Sequence, residues 1–244
     1  MITKYKKLKL INISCYFFSY YFFNCYFFTM KLLIINPNSS QEVTNNLKTI
    51  LTPPPQVELD FYTGPPQSPR EIVVANSQLS ADVCLVDIQQ KNLNYYDGYL
   101  VCCFSNHPLV KSLQLYTQKP VMGIMHASIL KTIVSPGNLM IITSTSDWEL
   151  VLDEAIYQIL GSNDLPTNFK PTTSLNITVL NLQSNFDILS EKMQKLIPHD
   201  VNNVILGCAG MSGLDEKLKH IFKINFIDPV AVGVEFLVAH VRSN

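Results

Sequence analysis

Short apolar runs alternate with amphipathic segments along most of this chain. The run at 32–35 is typical of a buried strand, and Ser39 with Glu42 forms a capping-box pattern that predicts a helix over 41–51. The same periodicities predict further strands at 57–62, 99–103, 121–125, 139–142, 177–180, 204–206 and 226–227, and further helices at 71–89, 108–116, 148–160, 186–196 and 230–241. Alternating strands and helices indicate an α/β fold with parallel sheets and helices on both faces.

The second half of the chain repeats the pattern of the first. Residues 139–146, LMIITSTS, mirror residues 32–39, LLIINPNS. Residues 205–214, ILGCAGMSGL, likewise mirror residues 100–109, LVCCFSNHPL. Two similar halves indicate an internal duplication, so we predict two pseudo-symmetric, Rossmann-like parallel-sheet halves with the active site in the cleft between them.

Residues 1–29 do not share this pattern. Several lysines precede an uncharged run from Leu10 to Thr29 that is crowded with Phe and Tyr. A basic flank before an apolar run is typical of a signal anchor, but this run is poor in Leu and Val, and it lacks the small-residue site at which a secretory peptide is cleaved. Because Met30 opens directly on the first strand, we interpret 1–29 as an extension outside the fold with a mis-assigned start. A membrane anchor or targeting segment is the alternative.

Domain boundaries follow from the same pattern. We expect a first domain made of 30–125 plus 226–244, and a second domain made of 126–225. The chain has 244 residues, of which 47% are hydrophobic and 15% charged, so each half can bury a core. A formal net charge of −1 gives no electrostatic reason to expect nucleic acid as a partner. The six cysteines lack the spacing of a disulfide framework or a zinc site, so we expect no metal and a reducing, cytoplasmic compartment.

Two cysteines are the first candidates for chemistry. Cys103 and Cys208 follow predicted strands at matching places in the two halves, and open parallel sheets bind ligands outside such strand ends. The two thiols could therefore face one pocket from opposite sides. Each should precede a helix, starting near Asn106 or Ser212, whose amide groups favour a thiolate. Cys102 is the rival at the first position, although the repeat favours Cys103; a buried structural cysteine is the alternative for each.

Polar clusters follow the first strand of each half. Asn36, Asn38, Ser39 and Ser40 stand in one cluster, and residues 143–146 occupy the matching place in the other. Such residues either form turns and cap helices or hold a carbonyl or carboxylate oxygen, and the two roles can coexist. The remaining candidates are His107 and His126 as general bases, Asp228 as a helix start with a possible role in the site, and Cys84 as a core residue.

Three motifs together resemble the Asp/Glu/hydantoin racemase superfamily, and its hydantoin/allantoin racemase branch, with its fungal members, most closely. They are residues 36–40, NPNSS, residues 103–106, CFSN, and residues 206–211, LGCAGM. Members are two-domain, pseudo-symmetric α/β proteins that need no cofactor and use one cysteine from each half as acid and base. The chain departs from the pattern at Asn106, where many members have aspartate, and at His126, where bacterial members often have glutamate.

The resemblance implies Cys103 and Cys208 as the catalytic pair and no cofactor. The expected substrate-binding residues are Asn36, Asn38, Ser39, Ser105, Asn106, Thr143, Ser144, Ala209 and Gly210. We therefore expect a homo-oligomeric, cofactor-independent racemase of nitrogen metabolism whose small-molecule substrate is a 5-substituted hydantoin or allantoin. The alternatives are an amino-acid racemase or related isomerase, and a non-catalytic small-molecule-binding protein on a racemase scaffold. Arylmalonate decarboxylases of the superfamily use one cysteine, so two thiols favour racemisation.

Overall fold

Two parallel four-stranded sheets form the scaffold of the protein. A computed structural model describes residues 29–182 and 184–244. The first sheet has the order β2-β1-β3-β4, with strands β1 (Met30–Asn36), β2 (Val57–Thr63), β3 (Gly98–Val101) and β4 (Val121–Gly123). The second has the order β6-β5-β7-β8, with strands β5 (Asn138–Thr143), β6 (Thr173–Ser174), β7 (Val201–Leu206) and β8 (Asn225–Ile227). The same order in both sheets confirms the predicted pair of pseudo-symmetric α/β halves.

Helices connect the strands, as parallel pairing requires. They are α1 (Gln41–Ile50), α2 (Ser77–Gln90), α3 (Pro108–Thr117), α4 (Ile124–Ile133), α5 (Glu149–Leu160), α6 (Phe186–Leu196), α7 (Asp215–Ile221) and α8 (Pro229–Arg242). Helix α1 begins at Gln41 as predicted, but its cap is Ser40 and not the Ser39 of the predicted capping box, because the Val43 amide donates to the Ser40 hydroxyl. The central strands β1 and β3 are almost wholly buried, which explains their continuous apolar runs.

The structure corrects the predicted elements in several places. The strand expected at 177–180 is wrong: the strand lies earlier, at Thr173–Ser174, and Val179–Asn181 forms a 3-10 turn. The backbone N–H of Val179 bonds to a carboxylate of the other half instead of joining the sheet. The helix expected from residue 71 begins only at Ser77. Helices α4 and α7 were not predicted, because α4 follows β4 without a polar break and α7 is short.

The expected domain boundaries stay a prediction, and the structure adds two facts about them. Strand β8 pairs with β7 and so belongs to the second sheet. Helix α8 packs against β3 and α4, so the end of the chain returns to the first half. The proposed extension lies outside the described residues except for Thr29. Among the described residues, no helix is long and apolar enough to cross a membrane.

Candidate active site

A pocket lies between the two halves at the carboxyl ends of both sheets. The space in and above this pocket, open solvent included, is about 460 Å³. The first half contributes Asn38, Val43, Ile72, Cys102, Cys103 and Phe104. The second half contributes Thr143, Ser144, Trp148, Val179, Gly207, Cys208, Ala209 and Gly210. In the part of the chain that the structure describes, the residues lining this pocket carry no charged side chain.

Cys103 and Cys208 occupy equivalent positions in the two halves. The backbone N–H of the residue before Cys103 donates to the Ile35 carbonyl on the neighbouring strand, over 2.8 Å. Gly207, the residue before Cys208, donates in the same way to the Ile142 carbonyl, over 2.7 Å. The strand register therefore supports the choice of Cys103 that the repeat favours, and it matches Cys102 with a glycine.

The three thiols near the pocket differ in their surroundings. Cys102 is only 3% exposed, its Sγ lies 3.9 Å from the Leu100 carbonyl oxygen, and burial raises its pKa far above the usual range. Cys103 is half-buried, with its Sγ 3.6 Å from the hydroxyl of Ser105. Burial raises the pKa of Cys103 to about 11, although the bond with Ser105 opposes that shift. Cys103 is thus the more accessible and more readily ionised member of the doublet.

Burial also has the largest effect on the pKa of the second thiol, Cys208. Cys208 is 9% exposed, and the Gly210 amide nitrogen lies 3.4 Å from its Sγ and donates to it. Burial raises the pKa of Cys208 to about 12, even though this amide acts in the opposite direction. Helices α3 and α7 begin at Pro108 and Asp215, and at Cys208 the amides of the 3-10 turn Ala209–Met211 favour the thiolate without outweighing burial. Both thiols are protonated at neutral pH.

A buried asparagine fixes the loop that carries Asn38. The side-chain nitrogen of Asn36 donates to the Asn38 Oδ1 at 2.9 Å, to the Ser40 carbonyl at 3.0 Å and to the Thr44 hydroxyl at 3.0 Å. The Ser40 amide also donates to Asn38 Oδ1, over 2.9 Å. Since these bonds use Oδ1, the Nδ2 of Asn38 is the atom that can donate to a ligand. Asn36 is completely buried and supports the pocket without lining it.

The carbonyl of Pro37 anchors the same loop to the rest of the first half. It accepts hydrogen bonds from the hydroxyls of Ser68 and Ser80 and from the Cys84 thiol, whose Sγ lies 3.3 Å away. Cys84 is buried as predicted, and it contributes this bond as well. A Cβ on Gly64 would stand 2.8 Å from the Pro37 oxygen, so only glycine permits this close approach.

The matching loop of the second half is held differently. Thr143, which has the same register as Asn36 in its sheet, donates its hydroxyl to the Gly207 carbonyl over 3.2 Å. The carbonyl of Ser144 accepts from the Ile177 amide over 3.0 Å. Thr143 and Ser144 both line the pocket, and Thr143 also supports the strand end that carries Cys208.

Three of the expected substrate-binding residues lie outside the pocket lining in addition to Asn36. Ser39 is half-buried at the edge of a separate surface groove, and its amide donates to the Pro69 carbonyl. Ser105 is buried beside Cys103. Asn106 is exposed, and its Nδ2 donates to Oε1 of Gln158 on α5, over 3.2 Å. Direct substrate contact by these residues stays a prediction.

The histidines and Asp228 have structural positions outside the lining. His107 is 1% exposed and caps α3, with its Nδ1 accepting from the Leu109 amide, and burial lowers its pKa to about 4. His126 lies on α4, half-buried, and burial lowers its pKa too. Asp228 caps α8 as predicted, while its second oxygen accepts from the Gly213 amide over 2.7 Å. Asp228 therefore ties α8 to the loop that follows Cys208.

Several residues at the pocket were not predicted. An oxygen of Glu71 accepts from the backbone N–H of Val179 over 2.6 Å, which links the two halves. Ile72 and Val179 line the pocket beside this bond. Local periodicity assigned Glu71 to a helix and Val179 to a strand, so it held no signal for their contact. Trp148, the single tryptophan of the chain, was the one lining residue that composition could have singled out.

Among the described residues, no group of three or more His, Cys, Asp or Glu side chains is placed to hold a metal ion. The pocket instead brings together three thiols, the Asn38 amide, the polar residues Thr143 and Ser144, and an apolar wall that includes Ile72 and Trp148. This set can donate and accept protons at sulfur and can hold one carbonyl oxygen by hydrogen bonding.

Comparison with known proteins places the chain in a family. The family model described as Asp/Glu/Hydantoin racemase matches residues 32–237, and the chain belongs to this family. It is 31% identical to Protein DCG1 of Saccharomyces cerevisiae, covering 87% of this chain and 96% of that protein. It is 24% identical to a hydantoin racemase of Paenarthrobacter aurescens, covering 82% and 86%. The solved allantoin racemase from Klebsiella pneumoniae shares the fold, with a TM-score of 0.75, 20% identity and coverage of 88% of each chain. The superfamily and branch predicted from the three motifs are confirmed.

Proposed function

We propose that this protein is a cofactor-independent racemase that inverts a carbon next to a carbonyl in a 5-substituted hydantoin or allantoin. The observation that carries the proposal is the placement of Cys103 and Cys208 at equivalent strand ends, both lining one pocket between the halves. Family membership and the likeness to a hydantoin racemase and an allantoin racemase support the reaction class.

Two thiols on opposite sides of a carbon suit inversion. One cysteine, as thiolate, takes the proton from carbon, and the electron pair of the broken C–H bond moves into an enolate. The opposite thiol then gives its proton to the other face of the carbon, so an S–H bond breaks and an inverted C–H bond forms. Cys103 and Cys208 exchange protonation states in each turnover, and neither an oxidant nor a co-reactant is consumed.

The raised pKa values of the thiols determine how much thiolate is present and how basic it is. With values of about 11 for Cys103 and about 12 for Cys208, little thiolate forms at neutral pH. Each thiolate that forms is correspondingly more basic, which helps it to remove a weakly acidic proton from carbon. The donor for the developing enolate oxygen is the Nδ2 of Asn38, which the Asn36 network holds in position before the substrate arrives.

The test follows one enantiomer in heavy water by optical rotation and by deuterium content. With two bases, the product formed by the wild type carries deuterium at the inverted carbon, while the remaining substrate keeps its original hydrogen there. Cys103→Ser and Cys208→Ser should each lower racemisation by at least about 100-fold. Each single variant should still exchange the proton of one enantiomer, and the preferred enantiomer should be opposite in the two variants. Racemisation that survives in the double variant would end the proposal.

A second candidate is a non-catalytic small-molecule-binding protein on the same scaffold. The observation in its favour is the burial of both thiols, which raises their pKa values to about 11 and about 12 and so disfavours a thiolate at neutral pH. A binding protein would show protection of Cys103 and Cys208 from alkylation by hydantoins without any deuterium exchange. The cytoplasmic location and the homo-oligomer stay predictions.

A further inference from the structure

We propose that Glu71 restricts the pocket to uncharged ligands by bridging the two halves at the pocket with its carboxylate. The inference deepens the proposed function because it concerns the same site, and it rests on that function only for the identity of the substrate. The carboxylate of Glu71 would favour neutral cyclic amides, such as hydantoins, over carboxylate substrates, such as free amino acids or dicarboxylates.

The bridge lies where the two halves meet. Glu71 belongs to the segment between β2 and α2 of the first half, and it is half-buried. Its Oε1 accepts from the backbone N–H of Val179, over 2.6 Å, at the start of the 3-10 turn Val179–Asn181 of the second half. Ile72 and Val179, the neighbours of the two bonded groups, both line the pocket. The carboxylate therefore lies at the edge of the ligand space.

The bridged turn also packs against the second thiol's loop. A Cβ on Gly210 would stand 2.9 Å from Cγ1 of Val179 and 3.2 Å from its carbonyl oxygen, so the turn rests directly on Gly210. The Gly210 amide in turn donates to the Sγ of Cys208. The position of Val179, and hence the bond to Glu71, determines how closely the pocket wall covers Cys208.

Charge is the reason for selectivity. The described lining of this pocket includes no Arg or Lys side chain that could offset the charge of a carboxylate ligand. The negative charge of Glu71 acts on Cys208, where it opposes ionisation of the thiol. The same charge opposes the entry of an anion, whereas a neutral ring meets a lining of uncharged polar side chains, apolar side chains and thiols.

The test uses two alkylating reagents of nearly the same shape, iodoacetamide, which is neutral, and iodoacetate, which is an anion. Rates at Cys103 and Cys208 of the full chain are measured by mass spectrometry of peptides, and the iodoacetamide/iodoacetate ratio is divided by that of glutathione. Glu71→Gln keeps a carbonyl acceptor for the Val179 amide and removes the charge. The ratio at Cys208 should fall about fivefold in this variant.

Glu58→Gln is the matched control. Glu58 is exposed near the amino end of β2, away from the pocket, and forms an ion pair with Lys31 at 3.1 Å, so this variant changes net charge equally. Its ratio should equal that of the wild type. Glu71→Ala, which removes the bridge, should raise the rates of both reagents. An unchanged ratio in Glu71→Gln, or an equal fall in Glu58→Gln, overturns the inference.

A second measurement uses the wild type alone, so it does not depend on the folding of a variant. Protection of Cys208 from iodoacetamide is compared for 5-benzylhydantoin and for its ring-opened anion, N-carbamoylphenylalanine. The neutral ring should protect at a concentration at least about tenfold lower, and equal protection contradicts the inference. An alkylation ratio that depends on Glu71 without any racemisation would refute the proposed function and leave the inference standing.

Discussion

The amide nitrogen of Gly210 donates to the Sγ of Cys208 across 3.4 Å, yet Cys208 remains a weak acid. The amide favours the thiolate, but the side chain is only 9% exposed and burial dominates, so the pKa rises to about 12. The backbone donors at this turn do not replace the water that the pocket removes from the sulfur. The local motif alone would suggest the opposite, an acidic thiol at the start of a turn.

This balance predicts the pH dependence of thiol reactivity. Only the thiolate is alkylated, and both pKa values are raised, so the rates of Cys103 and Cys208 with iodoacetamide should increase about tenfold per pH unit between about pH 7 and 10. Cys103 should react faster at each pH because its pKa, about 11, is the lower and its side chain is the more exposed. Peptide mapping after timed alkylation measures both rates. Glutathione in the same buffers should level off near pH 9, and a similar plateau at Cys208 would contradict the prediction.

Gly210→Ala should disturb the wall of the pocket. The added methyl would stand 2.9 Å from Cγ1 of Val179, so the turn must move away from Cys208. We expect a loss of about 1–3 kcal/mol in the free energy of unfolding and at least a tenfold loss of racemisation, roughly the effect of overpacking a tight contact. Gly161→Ala is the control: Gly161 has φ +64 but no atom within 4 Å of its Cβ position, so stability alone should fall. Full activity in Gly210→Ala would show that the contact is not needed.

Thr143→Val should weaken the support of the second thiol. The substitution keeps the shape of the side chain and removes the hydroxyl that donates to the Gly207 carbonyl over 3.2 Å. We expect a loss of about 1 kcal/mol in the free energy of unfolding, together with a lower kcat, because Gly207 directly precedes Cys208. Thr143→Ser keeps the hydroxyl and should restore kcat. If Thr143→Ser is as impaired as Thr143→Val, the methyl group and not the bond is what matters.

The same substitution, asparagine to aspartate, should have a small effect at Asn106 and a large effect at Asn36. Asn106→Asp introduces the aspartate that the resemblance to the family leads us to expect at this position, but Asn106 is exposed and bonded to Gln158, so kcat/KM should change less than about twofold. Asn36→Asp removes a buried amide whose two N–H groups are shared among three acceptors, and we expect a loss of about 3 kcal/mol and most of the activity. Urea unfolding and racemisation assays measure both. A large effect of Asn106→Asp would place that side chain in contact with the substrate after all.

The sequence by itself determined the repeated architecture. Alternating apolar runs and amphipathic segments specify parallel strands and helices, because burial on one or both faces imposes a period on the residues nearby in the chain. The similarity of residues 32–39 and 139–146 predicted two equivalent sheets, and the observed strand orders are identical. The cysteines Cys103 and Cys208 could be paired from the same repeat, since equivalent strands end at the same edge of their sheets.

Only the tertiary structure decided how the two halves meet and what that does to the thiols. The bond between Glu71 and Val179 joins residues that are 108 positions apart. The local periodicity around either residue does not predict this contact. The bond also explains why 177–180 is not a strand, since the Val179 amide is already bonded elsewhere. The raised pKa values of Cys103 and Cys208 likewise come from burial between the halves. Periodicity records which face of an element is buried, whereas desolvation and contacts across a cleft depend on elements that approach only after folding.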